Sequence, residues 1–475
     1  MSVKTKKIKY AILPFQAEKI KNRYLVSNML GNWDLITETD LRQLNQKNID
    51  QDQLQKRLIK RGIVVDAENG ASLINNFRNL HANLFTSTSL HIVVVTTRCN
   101  LACEYCQTKS NTFGDMDIKI AKKVLNFFKD CPSPVINLEF QGGEPLLNWP
   151  VVKFFIINVK KLKKKIVFSL VTNGILLDPE KIDFLIKHNV NICISLDGSQ
   201  KVHDKNRVFA SGKGTYSKVF QAIKRLKRAN KKNKNNKPTS LLPTVTKFSL
   251  KNYKQIVDEY VKQGAKIISL RPVTKIGAAK MVWDKIGYTP EEFNVFWQKS
   301  MDYILTLNKK DIKIQERMVN VLLKKILIKQ DPAFVDLMSP CGAGRQVLTY
   351  MPSGDIYPCD EARMSADEIF KLGNLNDGVK YNEVIKSPNL FSISCASLIQ
   401  LWDYNSAFSP WIGTCPVLNY VNDHNLIPKI TATPMHKIYR FQLRYLFTKM
   451  LESKENEKIF WGWVGKDKPD FSVHE

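Results

Sequence analysis

The chain predicts an α/β fold: an open, partial barrel of six parallel βα units over residues 86–335. A small α+β domain precedes it (1–85) and a cysteine-bearing domain with a closing helix follows it (336–475). Three observations lead there. Between residues 90 and 270, short β-branched apolar runs alternate with segments of helical apolar spacing, the pattern of βαβ units with right-handed crossovers. Before residue 85 the pieces are short and mixed. Beyond 338, Gly, Pro, Asp and Cys replace periodic spacing, as expected where turns and ligands, not a large core, fix the backbone.

The elements follow in order. Short strand-like pieces at 10–15 and 24–27 precede two helix starts, Thr37-Glu-Thr-Asp40 before Leu41 and Leu44, and Ile49-Asp-Gln-Asp52 before Leu54 and Leu58. A polar cap ahead of i, i+3/i+4 apolar spacing marks each. The run at 91–96 is long enough for a buried strand and too short for a helix. Further strands are expected at 135–140, 166–172, 191–196, 241–246 and 266–270. Helices are expected at 118–128, 151–162, 179–188, 216–229 and 253–263. Six strands, rather than eight, leave the barrel open. Chemistry in such sheets sits beyond the carboxyl ends of the strands.

Composition sets bounds. With 44% hydrophobic and 24% charged residues, wholesale disorder is excluded. The 72 Lys and Arg against 44 Asp and Glu give a net charge of +28. The densest basic tracts, 160–165 and 224–237, are Lys/Asn-rich without interleaved aromatics, so they offer no stacking platform for bases. They read as solvated surface, with an acidic peptide the charged partner that fits and nucleic acid unlikely. No apolar run approaches the ~18–20 residues of a membrane span, and the basic start, Met1 to Lys9, leads into an apolar piece too short for a secretory signal. A cytoplasmic protein is expected. Nine cysteines, an odd number without an export signal, read as metal ligands or buried thiols.

Just past the first strand stands Cys99-Asn-Leu-Ala-Cys103-Glu-Tyr-Cys106. Three thiolates in one tight loop can grip three corners of an iron–sulfur cube and leave the fourth iron open. Zinc competes, but it wants a fourth ligand nearby, and Glu104 is awkwardly placed. Further motifs end later strands: Gly142-Gly-Glu-Pro145, Thr172-Asn-Gly174 and Ser195-Leu-Asp-Gly198, followed by His203-Asp-Lys-Asn-Arg207. Cys131 and Cys193 read as buried, unliganded thiols.

With these motifs the chain resembles the radical S-adenosylmethionine (SAM) enzymes, whose signature is the Cys-x3-Cys-x2-Cys loop. The resemblance implies a radical SAM barrel with a [4Fe–4S] cluster on Cys99, Cys103 and Cys106. It implies SAM contacts from Tyr105 (backbone to adenine), Gly142, Gly143 and Glu144 (to the ammonium), Asn173 and Ser195 (to the ribose and sulfonium region) and Arg207 (to the carboxylate). A flavodoxin- or ferredoxin-type donor would reduce the cluster, and reductive cleavage of SAM would yield a 5′-deoxyadenosyl radical that abstracts hydrogen. Asp197 and His203 read equally as structural groups.

The segment from Cys341-Gly-Ala-Gly to Pro352-Ser-Gly354-Asp-Ile-Tyr-Pro-Cys359 resembles the opening of a SPASM domain, which carries auxiliary iron–sulfur clusters. With Cys395 and Cys415 it has thiols for one fully ligated auxiliary cluster. Leu398 and Ile412 stand where that pattern usually has further cysteines, so two all-thiolate clusters are not provided for; zinc, or no metal, remains the alternative. The strings Phe140-Gln-Gly-Gly-Glu-Pro-Leu-Leu147, Tyr357-Pro-Cys-Asp-Glu-Ala-Arg363 and Cys415-Pro-Val-Leu-Asn-Tyr420 resemble the His-Xaa-Ser system radical SAM maturases of HxsB type. That resemblance implies a ribosomal peptide or small protein as substrate, bearing His-x-Ser repeats, and a second radical SAM maturase as partner; the domain at 1–85 is the candidate for peptide recognition. Anaerobic sulfatase maturation is the nearest enzymatic alternative, and a non-catalytic iron–sulfur peptide-binding protein the other.

Overall fold

The computed structural model describes residues 10–49, 51–108, 114–233, 240–398 and 403–474. The basic start, Asp50 in the second expected cap, and residues 234–237 of the Lys/Asn tract lie outside them.

Strand β1 (Leu90–Thr96) is built from the β-branched run and is buried from His91 onward, as a strand covered on both faces must be. Asp117 caps helix α1 (Ile118–Asp130) by accepting from the Ile120 amide, and Ala121, Val124, Leu125 and Phe128 turn to the core at helical spacing. The chain continues through β2 (Val135–Gly142), α2 (Trp149–Asn158), β3 (Lys165–Thr172), α3 (Pro179–Lys187), β4 (Asn191–Ser195), α4 (Tyr216–Lys232), β5 (Ser240–Leu242), α5 (Tyr253–Lys262) and β6 (Ile267–Ile268). Strands β5-β4-β3-β2-β1 are neighbours in that order and pair parallel throughout.

The sixth strand is shorter than its spacing suggests and pairs elsewhere. Ile267–Ile268 lies parallel to Gln315–Glu316, and the fifth and sixth units touch through a parallel bridge between Val245 and Pro272. Pro272 has no amide hydrogen with which to extend a ladder.

The opposite edge holds a strand that local pattern did not reveal. Val347–Tyr350 (β7) pairs parallel with β1, from Val347 beside Leu90 to Tyr350 beside Val93. Antiparallel β8 (Asp355–Tyr357) and β9 (Gly373–Asn374) complete an eight-stranded sheet. Gly354 makes the β7–β8 turn at φ 92°, a backbone state suited to glycine. The region beyond 338 is therefore an extension of the barrel sheet as well as a set of loops.

Residues 16–36 form a three-stranded antiparallel sheet. Thr37 and Asp40 close the expected capping box on helix Glu38–Asn45. This layer leans on helix Pro434–Glu452: Glu18 accepts from Arg440 at 2.8 Å and Trp33 meets Phe447 edge-on at 4.9 Å. Among the described residues no helix is long and apolar enough to cross a membrane.

Candidate active site

The cysteine loop leaves the carboxyl end of β1 and is held by its own backbone. Thr96 O accepts from the Gly143 amide at 3.0 Å and Arg98 O from the Glu144 amide at 2.9 Å. A Cβ on residue 142 would stand 2.1 Å from Thr96 O, and one on residue 143 would stand 2.2 Å from Arg98 O, so only glycine lets the two loops meet. On the far side the Ala102 amide donates to Val208 O at 2.8 Å and the Glu104 amide to Asn206 O at 3.0 Å. Cys99 is exposed at the rim while Cys103 and Cys106 are half-buried. Close packing pushes the Cys99 thiol up to about 11 and Cys103 to about 12; Cys106 adds to the rise at both, Cys99 adds to it at Cys103, and Arg207 opposes it.

Glu144 links this loop to β3. Its carboxylate accepts from the Thr172 hydroxyl at 2.7 Å, the Asn173 amide at 2.8 Å and the Leu146 amide at 3.1 Å. The Asn173 side chain donates to Asn100 Oδ1 at 2.7 Å, inside the cysteine loop. Burial lifts the Glu144 carboxyl to about 6, against the pull of those donors, from the 4.5 of a free side chain. The folded state therefore holds this proton more tightly than the unfolded chain. The resulting stability is full below pH 4.5 and is lost as pH rises through 6, by about 2 kcal/mol in all. Urea unfolding of the cluster-free protein between pH 4.5 and 7 should show that loss, and Glu144→Gln should flatten that part of the profile.

A second buried carboxylate organises the β4 end. Asp197 accepts from the Tyr105 hydroxyl at 3.1 and 3.2 Å, from the Thr244 amide at 3.0 Å and from Arg207 Nε at 3.1 Å. The Arg207 guanidinium lies over the Tyr105 ring, 5.3 Å from its centroid. Burial works against the Arg207 charge, and Asp197 more than reverses that, so the cation is held firmly. Its outer nitrogens carry no hydrogen bond among the described residues. His203 Nδ1 accepts from the Asp197 amide at 3.3 Å while Nε2 faces the Thr215 hydroxyl at 3.0 Å. Burial lowers its value to about 4, so at neutral pH it is an uncharged, satisfied strut. Ser195 closes β4, buried beside Leu242.

The cysteine loop, Glu144, Asn173 and Arg207 thus share the carboxyl ends of β1 to β4. Gly142, Gly143 and Thr97 border a cavity of about 370 Å³ whose other wall is Gly277, Met351 and Arg363. Arg363 spans the gap, donating to Gln141 Oε1 at 2.9 Å and to Asp360 at 2.7 Å.

Of the four C-terminal cysteines, three are gathered. Cys341, Cys359 and Cys415 belong to one packed group with Ala343, Val417 and Leu418. Burial raises Cys341 to about 12 and lifts Cys359 and Cys415 further; Asp336, Glu361 and the neighbouring thiols add to the rise. Cys395 is exposed near the end of helix Pro388–Ala396, although Ser397 just beyond accepts from the Cys341 amide at 2.8 Å. Of the two cysteines set apart as unliganded, Cys131 is buried, with Sγ 3.1 Å from Thr88 O, and Cys193 is half-buried within β4.

Comparison with known proteins places this arrangement. The model of the radical SAM superfamily matches residues 93–268. The chain carries a radical SAM domain. It is 26% identical over 295 residues to a cysteine-type anaerobic sulfatase-maturating enzyme of Clostridium novyi (strain NT), spanning 58% of this chain and 74% of that protein. It is 24% identical over 299 residues to the antilisterial bacteriocin subtilosin biosynthesis protein AlbA of Bacillus subtilis (strain 168), spanning 62% and 58%. Among solved structures, native anSMEcpe with bound AdoMet superposes with a TM-score of 0.65 at 20% identity, over 77% of this chain and 98% of that one. Streptococcus suis SuiB bound to precursor peptide SuiA gives 0.54 at 16% identity, over 88% and 98%. At those identities the superpositions show the fold.

A radical SAM enzyme works with a [4Fe–4S] cluster and S-adenosyl-L-methionine, and the donors here suit both. Among the described residues no three His, Cys, Asp or Glu side chains are gathered to hold a single metal ion. A cube asks for something else, one thiolate at each of several corners, and a loop with sulfurs at 99, 103 and 106 offers that. The Leu101 amide already donates to Cys99 Sγ at 3.4 Å, the kind of N–H···S contact that tunes such clusters. The outer nitrogens of Arg207, which carry no hydrogen bond among the described residues, suit a carboxylate. The residues that sequence reasoning undervalued are Asp197, Thr172 and Asn100. Each acts by holding a neighbour, and the strand-end positions of Thr172 and Asp197 hinted at that.

Proposed function

We propose that the protein is a peptide or protein maturase that cleaves SAM reductively at a cluster held by Cys99, Cys103 and Cys106, leaving the fourth iron for SAM. The observation that carries this reading is the convergence of that loop with buried Glu144 and Arg207 at the carboxyl ends of four parallel strands. In this reading Glu144 and the Gly142–Gly143 backbone receive the SAM ammonium, and Arg207, fixed by Asp197, receives its carboxylate. Asn173 and Ser195 lie toward the ribose, and the Tyr105 backbone lies beside adenine. When bound, the cluster and SAM supply a one-electron cleavage whose carbon radical removes hydrogen from the substrate. The chain's own residues position SAM and exclude water and stray hydrogen donors. Cys341, Cys359, Cys395 and Cys415 are the pool from which an auxiliary cluster would draw ligands.

A ribosomal peptide with His-x-Ser repeats, as for the HxsB-type maturases, is the finer reading that the motifs favour. It carries with it a flavodoxin- or ferredoxin-type donor, a second radical SAM maturase and a cytoplasmic setting. The Clostridium novyi relative favours a second reading equally, formylglycine formation in a sulfatase. Co-expression with each peptide class, followed by mass spectrometry, separates them. A His-x-Ser peptide changed in mass only beside the intact Cys99–Cys106 loop supports the first. Conversion of a sulfatase-motif cysteine or serine to an aldehyde, with the His-x-Ser peptide untouched, replaces it with the second.

A further inference from the structure

Four cysteines were available to an auxiliary cluster, yet the fold treats them unequally. Cys341, Cys359 and Cys415 lie in one packed group from which Cys395 is absent. Each of the three has an amide donor: Ala343 N to Cys341 Sγ at 3.5 Å, Ala362 N to Cys359 Sγ at 3.4 Å, and the Leu418 amide toward Cys415. No such donor reaches Cys395 among the described residues.

Two carboxylates border the group. Glu361 is engaged, paired with Arg271 at 3.3 Å. Asp336, in the turn Val335–Leu337, has no hydrogen bond or ion pair from its carboxylate among the described residues. It faces a cavity of about 570 Å³ that Cys415 also lines. The two segments are pressed together by a glycine: a Cβ on residue 413 would stand 2.2 Å from Asp336 O and 2.8 Å from Leu337 Cα. Gly413 thus fixes Asp336 and the Cys415 loop against each other. Arg345 holds the first cysteine's backbone from the other side, donating to Cys341 O at 2.9 Å.

We infer that Asp336 supplies the fourth ligand of an iron–sulfur cluster whose other three ligands are Cys341, Cys359 and Cys415, and that Cys395 is not a ligand. The inference rests on the auxiliary-cluster reading above and names the ligand set within it. Three thiolates leave one iron of a cube unsatisfied, and a carboxylate oxygen is an acceptable donor to iron. Asp336 is the acid that is both unengaged and placed beside the group.

The test uses the full chain with Cys99, Cys103 and Cys106 changed to Ala, so that iron reports on the second site alone. After anaerobic reconstitution with iron and sulfide, this protein should bind about four irons. Cys395→Ser and Glu361→Gln, made in that background, should leave iron and sulfide content unchanged. Asp336→Asn should lose one iron, giving the electron paramagnetic resonance signal of a three-iron cluster, or lose the cluster entirely. Asp336→Cys should restore four irons. Mössbauer spectra of the parent should contain one iron site distinct from the rest, which Asp336→Cys makes like the others. That comparison stands even where Asp336→Asn fails to fold. Full iron in Asp336→Asn, loss of iron in Cys395→Ser or Glu361→Gln, or identical Mössbauer spectra of parent and Asp336→Cys would each overturn the assignment while leaving the auxiliary cluster in place. A triad-less protein that binds no iron would overturn the auxiliary-cluster reading itself, and the assignment with it.

Discussion

Cys99→Ala, reconstituted anaerobically and supplied with dithionite and SAM, is expected to form 5′-deoxyadenosine only at the level of a no-enzyme control. Cys103→Ala and Cys106→Ala should do the same. The loop has no spare sulfur to substitute: Cys131 is buried beside Thr88, near the amino end of β1, and Cys193 lies within β4. A cube gripped at two corners would lose its iron, and with it the site that SAM needs. The fold should survive, because the loop backbone is held by Gly143, Glu144, Val208 and Asn206 without use of any sulfur. Circular dichroism unchanged beside lost turnover is the expected pair of results. Sustained 5′-deoxyadenosine formation by Cys99→Ala would refute the mechanism.

The second large effect is on stability. Asp197 is fully buried and the Arg207 side chain is 11% exposed. Removing one partner strands a buried charge, at a cost of about 3–5 kcal/mol. Asp197→Ala also leaves the Thr244 amide and the Tyr105 hydroxyl without their acceptor. The expected result is a fall of that size in unfolding free energy by chemical denaturation, together with weakened SAM binding as Arg207 loses its anchor. Asp197→Asn keeps the shape and one oxygen and should fall between. Equal stability of wild type and Asp197→Ala would remove Asp197 from its organising role.

Much of the barrel was legible because its signals are local. The run from His91 to Thr96 could be little else than a buried strand, and the expected helices at 118–128 and 179–188 form where their apolar spacing placed them. The Gly-Gly-Glu-Pro turn was legible because its residue types are sterically compelled, as the 2.1 and 2.2 Å approaches show. What local pattern could not convey is pairing at a distance. Strand β7 finds β1 across more than 250 residues of chain, and four residues of Val-Leu-Thr-Tyr carry no mark of their partner. The sixth strand illustrates the converse, a good apolar segment of which only Ile267 and Ile268 find a ladder. At the site, the cysteine spacing identified the loop. The role of Asp197 needed the meeting of residues 105, 197, 207 and 244, which only folding creates. The inequality among Cys341, Cys359, Cys395 and Cys415 is likewise a matter of side-chain burial that spacing does not encode.

Because β7 is stitched to β1 through four successive residue pairs, the carrier of the first sulfur-rich loop and the approach to the second are adjacent rails of a single track. Opening the molecule between them would mean tearing that seam, so the spacing of the two loops is set by the sheet itself.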